Sequence, residues 1–195
     1  MYIPSKTLLR TLGFALSLSL ISGCSSIISA TTDEPIRPDP GKRTFGTMID
    51  DEQLETVARV NLNKADPSLA ASNINVVAYN GIVLLTGQVP SQQLRTLATD
   101  TVVKLPKVRQ VFNELQIQGK TSILARTNDT WLTTKVKTKL ISHKDIDSGR
   151  IKIVTEDGVI YLMGMLSRVQ AEKAAEVART TGGVQKVVKA IEYID

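Results

Sequence analysis

The sequence predicts an α+β protein built from one small α-β-β-α-β unit used twice. Three observations predict it. Two strands joined by a two-residue turn occupy residues 74–87 and again residues 151–164, 77 residues apart throughout. A helix with apolar residues four apart precedes each hairpin: Leu54, Ala58 and Leu62, then Leu132, Val136 and Leu140, 78 residues on. A second helix and an apolar strand follow each hairpin.

Taken in order, the chain opens on residues 1–23, which read as a secretory signal. Lys6 and Arg10 make a positive start, and residues 12–21 form a largely apolar run of ten, too short to span a bilayer. The run ends in Leu20-Ile21-Ser22-Gly23-Cys24, which resembles the bacterial lipobox. That resemblance implies cleavage before Cys24 and acylation there, palmitate included. Cys24 is the only cysteine, so an internal disulfide is excluded and lipidation accounts for a thiol in an exported chain. Ser25 stands where lipoproteins kept in the inner membrane carry Asp, which implies the outer membrane, on its periplasmic face. Loss of Lys6 and Arg10 lowers the net charge from +5 to +3. Residues 24–47 are rich in Ser, Thr, Pro and Gly and read as a lipidated tether. About 23 flexible residues reach roughly 25–30 Å.

The first unit is expected over residues 48–118 and the second over 125–195. Asn80-Gly81 and Asp157-Gly158 favour positive φ, which a type I′ hairpin needs. Gly87 and Gly164 end the second strands, where a missing side chain permits close packing. Leu94, Leu97, Ala98 and Thr101 line one second helix, and Ala171, Ala174, Ala175 and Ala178 the other. Pro106 and Gly182-Gly183 stop these helices. Residues 108–117 and 184–193 supply the closing strands. Each unit buries a modest core, with helices on one face of a three-stranded sheet.

The helix around Trp131 carries the functional reading. Asn128 or Asp129 is expected to cap it. Leu132, Val136 and Leu140 share a buried stripe, and at about 100° per residue Trp131 falls roughly 140° from the stripe's centre. Thr134, Thr138 and Ile141 share its side. Lys135, Lys137 and Lys139 lie around and between the faces, and no acid intervenes from Trp131 to Ile141. Such an aromatic beside ammonium groups suits a membrane interface with anionic lipid. It equally suits packing against another part of the chain. The first copy separates the two readings. There Gln53 aligns with Trp131, Val57 with Lys135, Asn61 with Lys139 and Asn63 with Ile141. A shared core position would be apolar in both copies, so a surface role is favoured. Charge divides likewise, with −1 over residues 46–118 and +4 over 119–195. The acidic start of the first helix (Asp50, Asp51, Glu52, Glu55) makes that copy a spacer or protein-contact module, or leaves those acids as a solvated face.

These motifs resemble the BON family: a helix with apolar residues four apart, a strand, Asn-Gly or Asp-Gly, an apolar strand ending in Gly, a helix and a strand. The resemblance covers about three quarters of the chain. Two copies behind a lipobox resemble the dual-BON-domain outer-membrane lipoproteins, a family associated with division, outer-membrane stress and lipid binding. Residues 128–136 are very close to that family's lipid-binding helix. The resemblance implies two tandem BON domains, each a three-stranded mixed sheet packed on two helices. It implies binding of anionic phospholipid, chiefly phosphatidylglycerol with cardiolipin as a second candidate, and roles at the division site and in envelope integrity. The lipid-facing residues would be Trp131, Thr134, Lys135, Lys137, Thr138, Lys139 and Ile141.

No enzyme, cofactor or metal site is expected. His143, the only histidine, sits in a polar loop before Asp145 and Asp147, too few ligands for a metal. No Gly-Lys-Ser/Thr follows Gly182-Gly183, so this is not a phosphate loop. Export argues against nucleic acid as the partner of the basic charge. The alternative to lipid binding is a periplasmic adaptor whose Trp/Lys surface binds a protein of the envelope or peptidoglycan machinery.

Overall fold

The computed structural model describes residues 39–118 and 123–195. The expected signal, Cys24 and most of the tether lie outside the described residues. The compact unit Asp39–Asp195 holds both repeats, each an α-β-β-α-β unit. Helix α1 (Phe45–Ala65) is followed by a short α2 (Pro67–Ala71), strands β1 (Asn73–Tyr79) and β2 (Ile82–Val89), helix α3 (Gln92–Val102) and strands β3 (Gln110–Asn113) and β4 (Gln116–Ile117). The second repeat runs through α4 (Ile123–Ser142), a 3-10 turn (Ser148–Arg150), β5 (Ile151–Glu156), β6 (Val159–Leu166), α5 (Arg168–Arg179) and β7 (Lys186–Tyr193). Each sheet is mixed. β2 pairs antiparallel with β1 and parallel with β3 and β4, and β6 does the same with β5 and β7.

The turns follow from residue type. Asn80 and Gly81 have φ of 51° and 75°, Asp157 and Gly158 of 50° and 74°, which is the type I′ pattern. At the far end of the hairpins, a Cβ on Gly87 would stand 1.9 Å from the Asn73 carbonyl oxygen, and one on Gly164 would stand 2.4 Å from that of Arg150. Only glycine lets the strands close there.

Each repeat has its own core. Leu54, Ala58 and Leu62 pack with Val76, Val83 and Leu85 in the first. Leu132, Val136 and Leu140 pack with Ile160, Leu162 and the alanines of α5 in the second. The opposite faces of the two sheets meet in a third cluster, where Val77, Tyr79, Ile82 and Leu84 pack with Tyr161, Met163 and Met165. The sheets are therefore the inner layers and the helices the outer ones. The apolar run of β2, buried at every position, is the pattern of a strand covered on both faces. Polar groups rim this junction. Arg109 forks onto Glu192 at 2.6 and 2.8 Å, and Lys152 meets Glu55 at 2.9 Å. The Tyr79 hydroxyl donates to the Arg150 carbonyl at 2.9 Å.

Several expectations are corrected. Helix α1 begins at Phe45, capped by the Thr44 hydroxyl, so its first turn falls in residues read as the end of the tether. Residues 39–44 are tied down rather than free tether, since Arg43 pairs with Asp51 at 2.8 Å and Asp39 with Arg150 at 2.5 Å. Helix α4 begins at Ile123, so Asn128 and Asp129 lie inside it and do not cap it. The closing strand of the first repeat breaks after Asn113, whose side-chain oxygen accepts from the Leu115 amide, and resumes as β4. Of the expected α3 positions only Ala98 is fully buried, with Val102 completing the stripe, while Leu94 and Leu97 are partly buried. The unexpected helix α2 follows from Asp66 as N-cap and Pro67 at its first turn.

Candidate functional site

Helix α4 is held from beneath. Leu132, Val136 and Leu140 are fully buried, and near its start Asp129, 8% exposed, reaches the hairpin. The Asp129 carboxylate accepts from the amides of Asp157 at 2.7 Å and Gly158 at 2.9 Å. Asp51 does the same in the first repeat, accepting from the amides of Asn80 and Gly81 at 2.8 and 3.0 Å. The two aspartates are 78 residues apart, so this clamp belongs to the repeat itself. Because it ties up the carboxylate, Asp129 is not available as a helix cap. Thr133 adds a hydroxyl contact of 2.6 Å to Thr155 on β5.

The outer face of α4 is what this anchoring presents. Trp131 is 56% exposed and Ile141 61% exposed, and Thr134, Lys137, Thr138 and Lys139 are exposed too. Thr134 and Thr138 turn their hydroxyls back to the carbonyls of Thr130 and Thr134, so their methyls are the outward part of the face. The structure brings Trp131 and Lys135 together: the ammonium stands 4.4 Å from the ring centroid, a cation–π contact. The same ammonium donates to the Gly182 carbonyl at 3.0 Å, and Lys139 reaches the Thr180 carbonyl at 3.4 Å. Lys137 does not join them. It projects on the far side of Trp131, about 120° around the helix.

The turn after α5 is the part of this surface that sequence reasoning treated only as a helix stop. Gly183 has φ of 103°. A Cβ there would touch Leu132 at 3.4 Å and the Trp131 ring at 3.9 Å. The turn thus supplies two carbonyls to lysines and a floor for the indole edge. The Gly-Gly pair next to a helix stop was the available signal. His143 accepts from the Asp145 amide at 3.3 Å, and Asp145 pairs with Lys173 at 2.8 Å. The Lys173 hydrogen bond holds the Asp145 carboxyl below its ordinary range.

This geometry can place an aromatic edge, aliphatic groups and ammonium groups on one flat surface. Among the described residues, no group of three or more His, Cys, Asp or Glu side chains could hold a metal ion, and no helix is long and apolar enough to cross a membrane.

The BON domain matches residues 50–119 and again 128–195. The chain belongs to the BON-domain family. It is 35% identical over 194 residues to the outer membrane lipoprotein DolP of Haemophilus influenzae, covering 98% of each chain. It is 40% identical over 152 residues to the 21 kDa hemolysin of Actinobacillus pleuropneumoniae, covering 78% of each. It is 26% identical over 188 residues to the osmotically-inducible protein Y of Escherichia coli, covering 94% of this chain and 92% of that one. These matches make it a dual-BON outer-membrane lipoprotein with an envelope-associated function.

Proposed function

We propose that this BON-domain lipoprotein binds anionic phospholipid through the outer face of α4, without catalysing a reaction, and that no cofactor takes part. The observation that carries the reading is Trp131, more than half exposed on a helix whose opposite stripe is fully buried, with the Lys135 ammonium against its ring. Such a ring inserts at the headgroup level, where its apolar body and polar edge are both satisfied. Lys135, Lys137 and Lys139 each add about 1 kcal/mol near an anionic surface. Trp131, Thr134, Thr138 and Ile141 supply the inserting face. Acyl chains on Cys24 hold the protein to the periplasmic face of the outer membrane, and the tether raises the effective concentration of the helix at that surface. Phosphatidylglycerol is the preferred ligand and cardiolipin the second. In this reading the face concentrates the protein at the division site and supports envelope integrity.

The test is flotation of the non-acylated chain, residues 25–195, with vesicles of phosphatidylglycerol or of phosphatidylcholine. Co-flotation with phosphatidylglycerol alone, weakened by salt and abolished by Trp131→Glu, is expected. Flotation indifferent to headgroup, or unchanged in Trp131→Glu, overturns the reading and favours a protein ligand for the same surface.

A further inference from the structure

Because the domains are copies, each position in one can be compared with its counterpart in the other. Helices α1 and α4 correspond at an offset of 78, and the turn before the last strand at an offset of 76. In that turn Val108 donates to the Leu105 carbonyl at 3.3 Å as Val184 donates to that of Thr181 at 3.1 Å. Lys107 and Gly183 both have positive φ, 69° and 103°.

In the second domain the space between helix and turn is occupied by the chain itself. The Trp131 ring lies over Gly183, and Lys135 donates to the Gly182 carbonyl. In the first domain Gln53 and Val57 stand at those two positions, and a cavity of about 210 Å³ remains, lined by Gln53, Leu54, Val57, Leu105 and Pro106. That is smaller than the roughly 300–1,000 Å³ of sites for drug-sized ligands and suits one side chain. The Pro106 carbonyl corresponds to that of Gly182, and a valine has no donor to give it. Lys107 adopts the left-handed conformation without being glycine, and its ammonium pairs with Asp50 at 2.7 Å on the rim. On the helix face that carries Gln53, by their three- and four-residue spacing, Ile49, Val57 and Val60 are 44–45% exposed. The second domain has Thr127, Lys135 and Thr138 there. A clustered aliphatic face of this kind marks an interaction surface.

We propose that this groove of the first domain docks a protein segment bearing an aromatic side chain with a basic residue about one helical turn away. The ring supplies what Gln53 lacks, and the basic group supplies the donor that Val57 lacks. Asp50, on the rim and shared with Lys107, offers it a carboxylate. Trp131 with Lys135, seated in the corresponding place of the second domain, is the chain's own example of what fills such a groove. The site is separate from the α4 surface, and its occupancy does not depend on lipid.

The test is an amide NMR titration of residues 25–195 with an alanine-based helical peptide holding one Trp and, one turn later, one Lys. Saturable shifts confined to residues 49–60 and 105–107 are expected, absent for a peptide with Ala in place of the Trp. Gln53→Trp fills the groove from within and Val57→Lys gives the Pro106 carbonyl its own donor while repelling the peptide's basic group, so each should weaken peptide binding about tenfold or more. The response of Trp131 to phosphatidylglycerol vesicles should persist in both. No shift at millimolar peptide, or undiminished binding in Gln53→Trp, overturns the proposal. So do concentration-dependent shifts of the groove without peptide, which assign it to a second copy of this chain, and vesicle-induced shifts there, which assign it to lipid.

Discussion

Replacing Asp129 by alanine should cost the second domain about 3 kcal/mol. The carboxylate accepts two amides of the 157–158 turn at 2.7 and 2.9 Å, one of them buried. A hydrogen bond to a charged group is worth about 1.5–3 kcal/mol, and a buried donor left without a partner costs about 1–3 kcal/mol. Water reaches the Asp157 amide at the turn's edge in the variant, so the sum falls near the lower end. Asp129→Asn retains one acceptor oxygen and should lose about half as much. Asp51→Ala should lose more than Asp129→Ala, because it also strands Arg43, paired with it at 2.8 Å. Urea unfolding followed by Trp131 fluorescence reports on the second domain, and circular dichroism on the whole. The midpoint should fall with the slope unchanged. A loss below about 0.5 kcal/mol for Asp129→Ala refutes the reasoning, since the turn amides would then find partners without the clamp.

Four further outcomes are expected. The Arg109 hydrogen bond, aided by Asn80, holds the Glu192 carboxyl below its ordinary range against its partial burial. A depressed folded value adds stability above the unfolded value of about 4.3, and that stability is lost as acid titrates the folded carboxyl. Glu192→Gln should therefore be about 0.5–1 kcal/mol less stable at neutral pH and equal to the parent in strong acid, as thermal unfolding across pH measures. Leu84→Ala, at a fully buried position between the sheets, should cost about 2–5 kcal/mol in urea unfolding. Gly87→Ala, at φ 111° and against the Asn73 carbonyl, should cost about 2 kcal/mol or more by the same measurement. Trp131→Ala removes the part of the ring packed over the Gly183 turn and its contact with Lys135, so it should cost about 1–2 kcal/mol of stability, and it should weaken vesicle binding roughly thirtyfold. Burial of most of the exposed half of the ring at about 25 cal/mol per Å² accounts for that loss.

The repeat was legible wherever one residue type forces one geometry. Asn80-Gly81 and Asp157-Gly158 announced their turns, and the four-residue spacing of Leu132, Val136 and Leu140 announced the buried face of α4. Long-range pairing was not legible. Asp51 and Asp129 look like ordinary first-turn acids, and only the folded chain brings them to the hairpins. The packing of the two sheets was missed although its sign was present. β2 and β6 have apolar residues on both faces, which a sheet covered on one side does not need. Local departures followed single residues: Asn113 bends the closing strand, and Asp66-Pro67 starts α2. At the surface, the helical repeat placed Trp131 and Ile141 outward. It did not reveal that Lys135 and Lys139 lean onto the turn after α5 while Lys137 stands apart, because those contacts are made to residues 47 and 41 positions away in sequence.

The most direct measurement of the central claim is the Trp131 emission spectrum of residues 25–195 during titration with phosphatidylglycerol micelles, and then with zwitterionic micelles. As the only tryptophan, it reports on this face alone. The account predicts a blue shift with phosphatidylglycerol that shrinks as salt rises, with amide shifts confined to residues 130–141, and no response to the zwitterionic micelles. An unmoved spectrum with both, or an equal shift with both, contradicts it.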